Sequence, residues 1–282
     1  MKSKKVTLRR KIFPSKNHKR IVKKNIYTKD TYKLIKKASE DILNKYAKKN
    51  SDNWIFDYIS ETRNKVFARD FDLIEKYVTK GWTVVDIGSA PFVIPLAFHT
   101  KWYKSIAIDI NPWRFVEAEK LPFHTIKHNA DTHDEKMPIE EESVDLVIFT
   151  EIFEHLRGNL IKSMEDVYRI LKKGGVLFLG TPNLRSIKGI MNFLFRWVCY
   201  SASESLFHEW SKIEKIGHMW HVREYTEHEI VTFLERIWFK VEVVYFWGSF
   251  SPSNHFIMKI FNVLAKLNKW RKPGMTVIAR KN

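Results

Sequence analysis

Two carboxylates and an imidazole lie close together in the segment Glu151-Ile152-Phe153-Glu154-His155. If a helical turn starts there, Glu151, Glu154 and His155 fall at i, i+3 and i+4 and share one face. In a crevice, such a group can hold a divalent cation, and its mix of carboxylate and imidazole donors suits magnesium or manganese. Downstream, Gly217-His218-Met219-Trp220-His221 adds two histidines on a segment expected to fold over the crevice. His221 is the candidate fourth ligand, so the metal site is expected to assemble only when that segment closes. Without a metal, His221 or His218 is the candidate general base, with Glu151 beside it, because an imidazole can accept a hydroxyl proton near neutral pH. Each histidine taken singly is more often a structural or surface residue than a catalyst.

A second group of residues suits ligand binding. Val84-Val85-Asp86-Ile87-Gly88-Ser89-Ala90-Pro91 reads as a strand, a tight turn and the start of a helix. Gly88 allows the sharp turn, and the small Ser89 and Ala90 let a ligand approach the main chain. Pro91 suits the first helical position, and the helix N-terminus offers N–H groups. Asp109 ends the next strand, 23 residues after Asp86. In a doubly wound sheet a carboxylate there faces the crevice and can accept hydrogen bonds from both hydroxyls of a ribose. The plainer alternative is a cap on a helix starting at Pro112.

The elements that must position these groups alternate. Residues 30–70 read as a helical extension, with Ile35, Ala38, Ile42 and Tyr46 on one face; Phe71, Ile74, Tyr77 and Val78 continue the helical pattern. Apolar strands are expected at 82–87, 105–108, 144–149, 175–180, 240–246 and 275–280, with helices carrying Ile161–Leu171 and Glu227–Glu235. Apolar strands alternating with helices predict an α/β fold, a mostly parallel sheet covered on both faces. Residues 71–282 form that domain. An irregular aromatic insertion at about 184–225 is placed as a lid or acceptor wall, and its stretch Trp197–Trp210 either lines an acceptor groove or belongs to the core.

The net charge of +17 is concentrated at one end. Residues 1–29 hold twelve of the 49 lysines and arginines and no acidic residue. This basic arm is either a solvated tail or an anchor for RNA or an anionic membrane surface. A single cysteine, Cys199, excludes an intrachain disulfide and a thiolate metal cluster. There is no apolar run of membrane-spanning length and no apolar signal core near Met1. The expectation is a cytoplasmic protein, either free or peripheral at the inner membrane surface.

Taken in order, these segments resemble the class I S-adenosylmethionine-dependent methyltransferases. Asp86-Ile87-Gly88-Ser89-Ala90 and Asp109 are similar to the family's first two motifs, and Asp131 to its adenine-side acidic residue. Leu171-Lys172-Lys173-Gly174-Gly175 resembles its LKPGG turn, with Lys173 in place of proline. The resemblance spans roughly residues 71–280. It implies a Rossmann-like sheet of seven strands, the last antiparallel, and a cofactor pocket of Asp86, Gly88, Ser89, Ala90, Asp109, Ile110, Asp131 and Thr150. The family's glycine-rich turn is altered here: Ala90 and Phe92 replace its second and third glycines, and Phe92 is expected to reshape the methionine end of the pocket.

Two subfamilies share further segments. Methyltransferases associated with surface polysaccharides carry segments similar to Glu151–Leu156, Thr181-Pro182-Asn183 and His221–Thr226. The small-RNA 2′-O-methyltransferases carry a metal tetrad that Glu151, Glu154, His155 and His221 match in type and order. Arg223-Glu224-Tyr225-Thr226 resembles the former group. The resemblance therefore implies an O-methyltransferase acting on a sugar hydroxyl of a glycan or glycan precursor. The alternatives are an RNA ribose 2′-O-methyltransferase and a non-catalytic RNA- or membrane-binding protein that retains the fold.

Overall fold

The computed structural model describes residues 18–22, 27–48, 54–132, 135–202, 205–207, 209–211, 221–248, 260, 263–264 and 269–282. Its strands are β1 (Lys19–Val22), β2 (Thr83–Ile87), β3 (Lys104–Asp109), β4 (His124–Lys127), β5 (Val144–Thr150), β6 (Leu171–Pro182), β7 (Phe239–Trp247) and β8 (Gly274–Lys281). They form one sheet in the order β1-β7-β8-β6-β5-β2-β3-β4. Every pairing is parallel except those of β8, which runs antiparallel to β6 and β7. The strand order reverses between β2 and β5, and in such a sheet ligands bind in the crevice beyond the carboxyl ends of these strands.

The helices are α1 (Lys29–Asp41), α2 (Trp54–Tyr58), α3 (Glu61–Ile74), α4 (Val93–Thr100), α5 (Leu160–Ile170), α6 (Ile187–Arg196) and α7 (Glu227–Arg236). Their starts follow local chemistry. The side chains of Thr28, Ser60, Asn159 and Ser186 accept hydrogen bonds from the first turns of α1, α3, α5 and α6, and Thr226 with Glu229 forms a reciprocal capping box on α7. Burial then sorts the helices onto two faces. Ile35 of α1, Phe71 of α3 and Phe98 of α4 pack with Val84, Ile148 and Phe178 of the sheet. On the other face, Met164 and Val167 of α5 and Ile230 and Leu234 of α7 pack with Val85, Val147 and Leu177. Alternate residues of each strand thus enter different cores, which requires strands apolar on both sides.

The doubly wound, mostly parallel sheet agrees with expectation, and an eighth strand extends it. Lys19–Val22, read as part of the basic arm, lies parallel to β7 with Lys19 opposite Val243 and Ile21 opposite Tyr245. The open edge of β7 supplies backbone partners. Glu227 supplies a carboxylate, whose Oε1 binds His18 Nε2 at 2.8 Å and accepts from Arg20 Nε at 2.6 Å. Burial pushes the Glu227 carboxyl up, but the hydrogen bonds from His18 and Arg20 outweigh it and hold the group below the usual range.

Two helix starts differ from expectation. Pro91 precedes α4 rather than opening it, because Phe92 takes a left-handed conformation and the helix begins at Val93. No helix starts at Pro112, where residues 112–115 are turns. Asp109 Oδ1 instead accepts from the N–H of Asn111 at 2.8 Å, and the backbone beyond pairs with the end of the N-terminal helices, Lys48 N–H with Phe115 and Glu117 N–H with Tyr46. Among the described residues no helix is long and apolar enough to cross a membrane.

Candidate active site

The turn after β2 is fastened by hydrogen bonds to the end of β3. Gly88 adopts φ +69, and the N–H groups of Gly88 and Ser89 both donate to Ile108 O, at 2.8 and 3.1 Å. A Cβ at Gly88 would fall 1.9 Å from Ile152 Cδ1, so glycine is required here by conformation and by contact with the loop after β5. Ala90 N–H donates to Asp109 Oδ2 at 3.1 Å, which ties the ends of β2 and β3 together. The N–H groups of Ser89 and Ala90, the small residues expected to admit a ligand, are thus engaged by the end of β3.

Asp86 lies beneath this turn. Its carboxylate is buried and accepts from Ser89 Oγ at 2.8 Å, with no cationic partner among the described residues. Burial pushes its pKa up to about 7, the Ser89 hydrogen bond opposes the rise, and the charge of Asp109 adds to it. Two neighbouring carboxylates at the switch in strand order fit a ligand with positive charge and a ribose. S-adenosylmethionine, with its sulfonium and ammonium groups, meets that requirement.

Phe92 does not project into this region. Its backbone has φ 68, the left-handed conformation the replaced glycine would adopt freely, and its ring is fully buried in the core shared with α1, α3 and α4. The conformation costs a non-glycine residue about 1–2 kcal/mol. Burying the ring returns roughly 2–3 kcal/mol. The altered glycine has become a core residue, contrary to the expected change in the pocket.

Beyond β5, the helical turn expected to align Glu151 with Glu154 and His155 does not form as such. Glu151 is left-handed at φ 56, its N–H donating to Gly180 O at 2.8 Å, and a 3-10 turn begins only at Phe153. Among the described residues, the ligand atoms of Glu154, His155 and His221 all lie within 4.8 Å of one another, and Glu151 is outside that group. The rings of His155 and His221 meet edge to face at 5.0 Å. Glu154 is fully buried: Oε2 accepts from Thr181 Oγ1 at 2.9 Å, while Oε1 has no hydrogen-bond partner. An unpartnered buried carboxylate oxygen is costly. Burial pushes the Glu154 carboxyl well up, and Glu151 adds to the rise. Burial also raises Glu151, against the pull of Arg63, His221 and Arg69, with Asp70 adding to it.

The segment 221–226 holds its histidine in place. His221 Nδ1 lies 3.1 Å from Glu224 Oε1, and its backbone N–H donates to Glu209 Oε2 at 2.9 Å. Burial works against the Glu224 charge, but hydrogen bonds from His221, Ser201 and Ala202 keep its carboxyl below the usual range. Glu224 thereby directs the opposite ring nitrogen of His221 away from itself. Val222 N–H donates to Glu154 O at 2.8 Å, Tyr225 packs edge-on against Phe153 at 4.9 Å, and Thr226 caps α7. Close by, Thr181 and Asn183 anchor the end of β6: Thr181 bonds Glu154, and Asn183 Nδ2 donates to the carbonyls of Trp270 and Lys272.

Residues 37–242 match the methyltransferase domain family. The chain belongs to that family. Among solved structures, a SAM-dependent methyltransferase from Archaeoglobus fulgidus is similar at 18% identity and TM-score 0.57, covering 82% of this chain and 100% of that one. A SAM-dependent methyltransferase from Methanosarcina mazei is similar at 18% identity and TM-score 0.52, covering 74% and 96%. No curated protein matches the sequence. The methyltransferase and the doubly wound fold expected from the motifs both stand.

The structure of this methyltransferase distributes the expected site residues unevenly. Asp86, Gly88, Ser89, Ala90 and Asp109 meet at one turn, with Ile110 exposed beside them. Asp131, expected at the adenine edge, accepts through Oδ1 from the N–H groups of Arg157 and Gly158, at 2.8 and 2.7 Å, and so fixes the loop before α5. Thr150 packs against Gly180, where a Cβ would come within 3.0 Å of Thr150 Cγ2. His218 lies outside the described residues. The aromatic stretch is not core: Trp197 and Phe207 are 85% and 83% exposed. Sequence reasoning missed Glu209 and Glu224 behind His221, and Arg63, Arg69 and Asp70, whose charges reach Glu151 from α3. The S/T-x-x-E/Q pattern from Thr226 to Glu229 was the one legible signal that the histidine segment is rigidly capped.

Proposed function

We propose that this methyltransferase moves the methyl group of S-adenosylmethionine to a hydroxyl of a sugar in a glycan or glycan precursor. The observation that carries the reading is Glu154 Oε1, buried without a hydrogen bond, 4.0 Å from His155 Nε2 and grouped with His221 beyond the end of β5. In the transfer, the acceptor oxygen forms the new C–O bond as the sulfonium C–S bond breaks. The hydroxyl proton must leave, and a free alcohol releases it too weakly near neutral pH without help.

The chain supplies that help at His221. With Nδ1 held by Glu224, Nε2 is free to accept the hydroxyl proton, and Glu224 and Glu154 stabilise the resulting imidazolium. The same three residues, Glu154, His155 and His221, would hold a divalent cation. One carboxylate with two imidazoles, and Glu151 outside the group, favours manganese over magnesium. When bound, the ion would lower the cost of deprotonating the acceptor hydroxyl. The exposed Trp197, Phe207 and Trp210 offer faces on which sugar rings can stack.

The test is transfer of labelled methyl from S-adenosylmethionine to saccharide, lipid-linked glycan and RNA pools, with and without chelator. Label in a saccharide fraction is expected. Label in RNA alone would replace this reading with a ribose 2′-O-methyltransferase. Undiminished activity in chelator would leave His221 as a simple base.

A further inference from the structure

We propose that a second site binds a phosphoryl group carried by the acceptor, in the cavity bounded by Arg20, Arg185 and Arg271 at the end of β6. This rests on the sugar-acceptor reading and narrows it to phosphorylated saccharides. The cavity measures about 130 Å³ and is also lined by Asn183, Glu227 and Trp270. At about 30 Å³ per water, it has room for one phosphoryl group with a water or two.

The charges around it do not balance. Glu227 Oε1 already takes Arg20 and His18. Among the described residues no carboxylate pairs with Arg185 or Arg271, and Arg271 Nη1 reaches only the Arg185 carbonyl, at 3.4 Å. Burial and the nearby charge of Arg185 both disfavour the Arg271 cation. Arg185 and Arg271 line one cavity, and two guanidiniums with no paired carboxylate form a receptor for an anion, their planar forks matching phosphoryl oxygens.

The position is fixed by the asparagine that ends β6. Asn183 Nδ2 holds the Trp270 and Lys272 carbonyls on either side of Arg271, and Asn183 Oδ1 accepts from Arg185 N–H at 3.1 Å. One side chain therefore places both arginines. Thr181 lies two residues earlier, about 7 Å along an extended chain, and binds Glu154. An acceptor whose phosphoryl group sits among the arginines would extend its sugar toward Glu154 and His221. Arg20 arrives on β1, which gives the N-terminal strand a part in acceptor binding.

The experiment is calorimetry on the full chain saturated with S-adenosylhomocysteine, so that the donor pocket is filled. Inorganic phosphate, glucose 1-phosphate, glucose and a short single-stranded RNA serve as probes. Glucose 1-phosphate is expected to bind at least about tenfold more tightly than glucose. Arg185→Gln and Arg271→Gln should each weaken phosphate and the ester by about tenfold or more. Arg236→Gln, exposed on α7, should change neither, and affinity for S-adenosylhomocysteine should hold in all three. Absence of phosphate binding, or equal binding by the arginine variants, would overturn the site. Phosphate bound with the ester excluded would make it a free-anion site, and RNA bound more tightly than the ester would transfer it to a nucleic-acid backbone; either overturns the proposal. Equal methylation of phosphorylated and phosphate-free saccharides would keep the sugar reading and refute this one.

Discussion

Replacing Asp86 by asparagine should stabilise the protein at alkaline pH. The Asp86 carboxyl is buried, and its pKa is pushed up to about 7. In the unfolded chain an aspartate titrates near 3.9, so the rise is about three units, or roughly 4 kcal/mol at about 1.4 kcal/mol per unit. The direction is opposite to that of a salt-bridged aspartate. Between about pH 4 and pH 7 the folded state keeps the proton that the unfolded state has lost, so stability falls as pH rises through that window. Asparagine retains an acceptor for Ser89 and carries no charge to bury. Allowing for relaxation, Asp86→Asn should be more stable than wild type by on the order of 2–4 kcal/mol at pH 8. In a chain of this size that is about 5–10 °C in Tm. The gap should close toward about pH 4. The same substitution should weaken S-adenosylmethionine, whose positive charges compensate the ionised aspartate. Thermal melts of both proteins from pH 4 to pH 8, with calorimetry of the cofactor, check this. A variant no more stable at pH 8, or a gap that does not vary with pH, would refute the reasoning.

Three further outcomes are expected. Glu154→Gln should bind the cofactor normally yet lose at least about a hundredfold in kcat, the size of a lost base or metal contact; full activity would remove Glu154 from the site. Phe92→Ala should cost about 3–5 kcal/mol in chemical denaturation, and Phe92→Gly about 1 kcal/mol less because it relieves the left-handed backbone; a glycine variant worse than alanine would contradict the strain argument. Deleting residues 1–22 should lower Tm and promote self-association by baring the β7 edge, as sedimentation would show; a monomer of unchanged Tm would make β1 dispensable.

The parallel strands were legible because strands buried on both faces are nearly continuous apolar runs, and β2 and β5 are of this kind. His124–Lys127 was missed since an edge strand with half-buried and exposed residues carries no such run, and β1 was missed because its two apolar residues, Ile21 and Val22, are too short a run inside a basic stretch. In the site, Gly88 and Asp109 could be placed because their roles belong to the turn and the strand end themselves. Glu151 misled, because helical spacing presumes helical φ and its left-handed backbone breaks the face. Arg185 and Arg271 of the cavity lie 86 positions apart in sequence. Only tertiary structure brings them to one asparagine.

The pairing of β1 with β7 has a consequence for how the chain folds. His18 and Glu227 are 209 positions apart, so this is among the longest loops the protein must close, and closure entropy rises with loop length. β1 leaves the ribosome more than 200 residues before β7 and has no partner on that edge until β7 has followed it. Docking of β1 should therefore come late in folding, completing a sheet already assembled from β2 onward. A nascent chain halted before β7 would hold β1 unpaired, open to any other free edge.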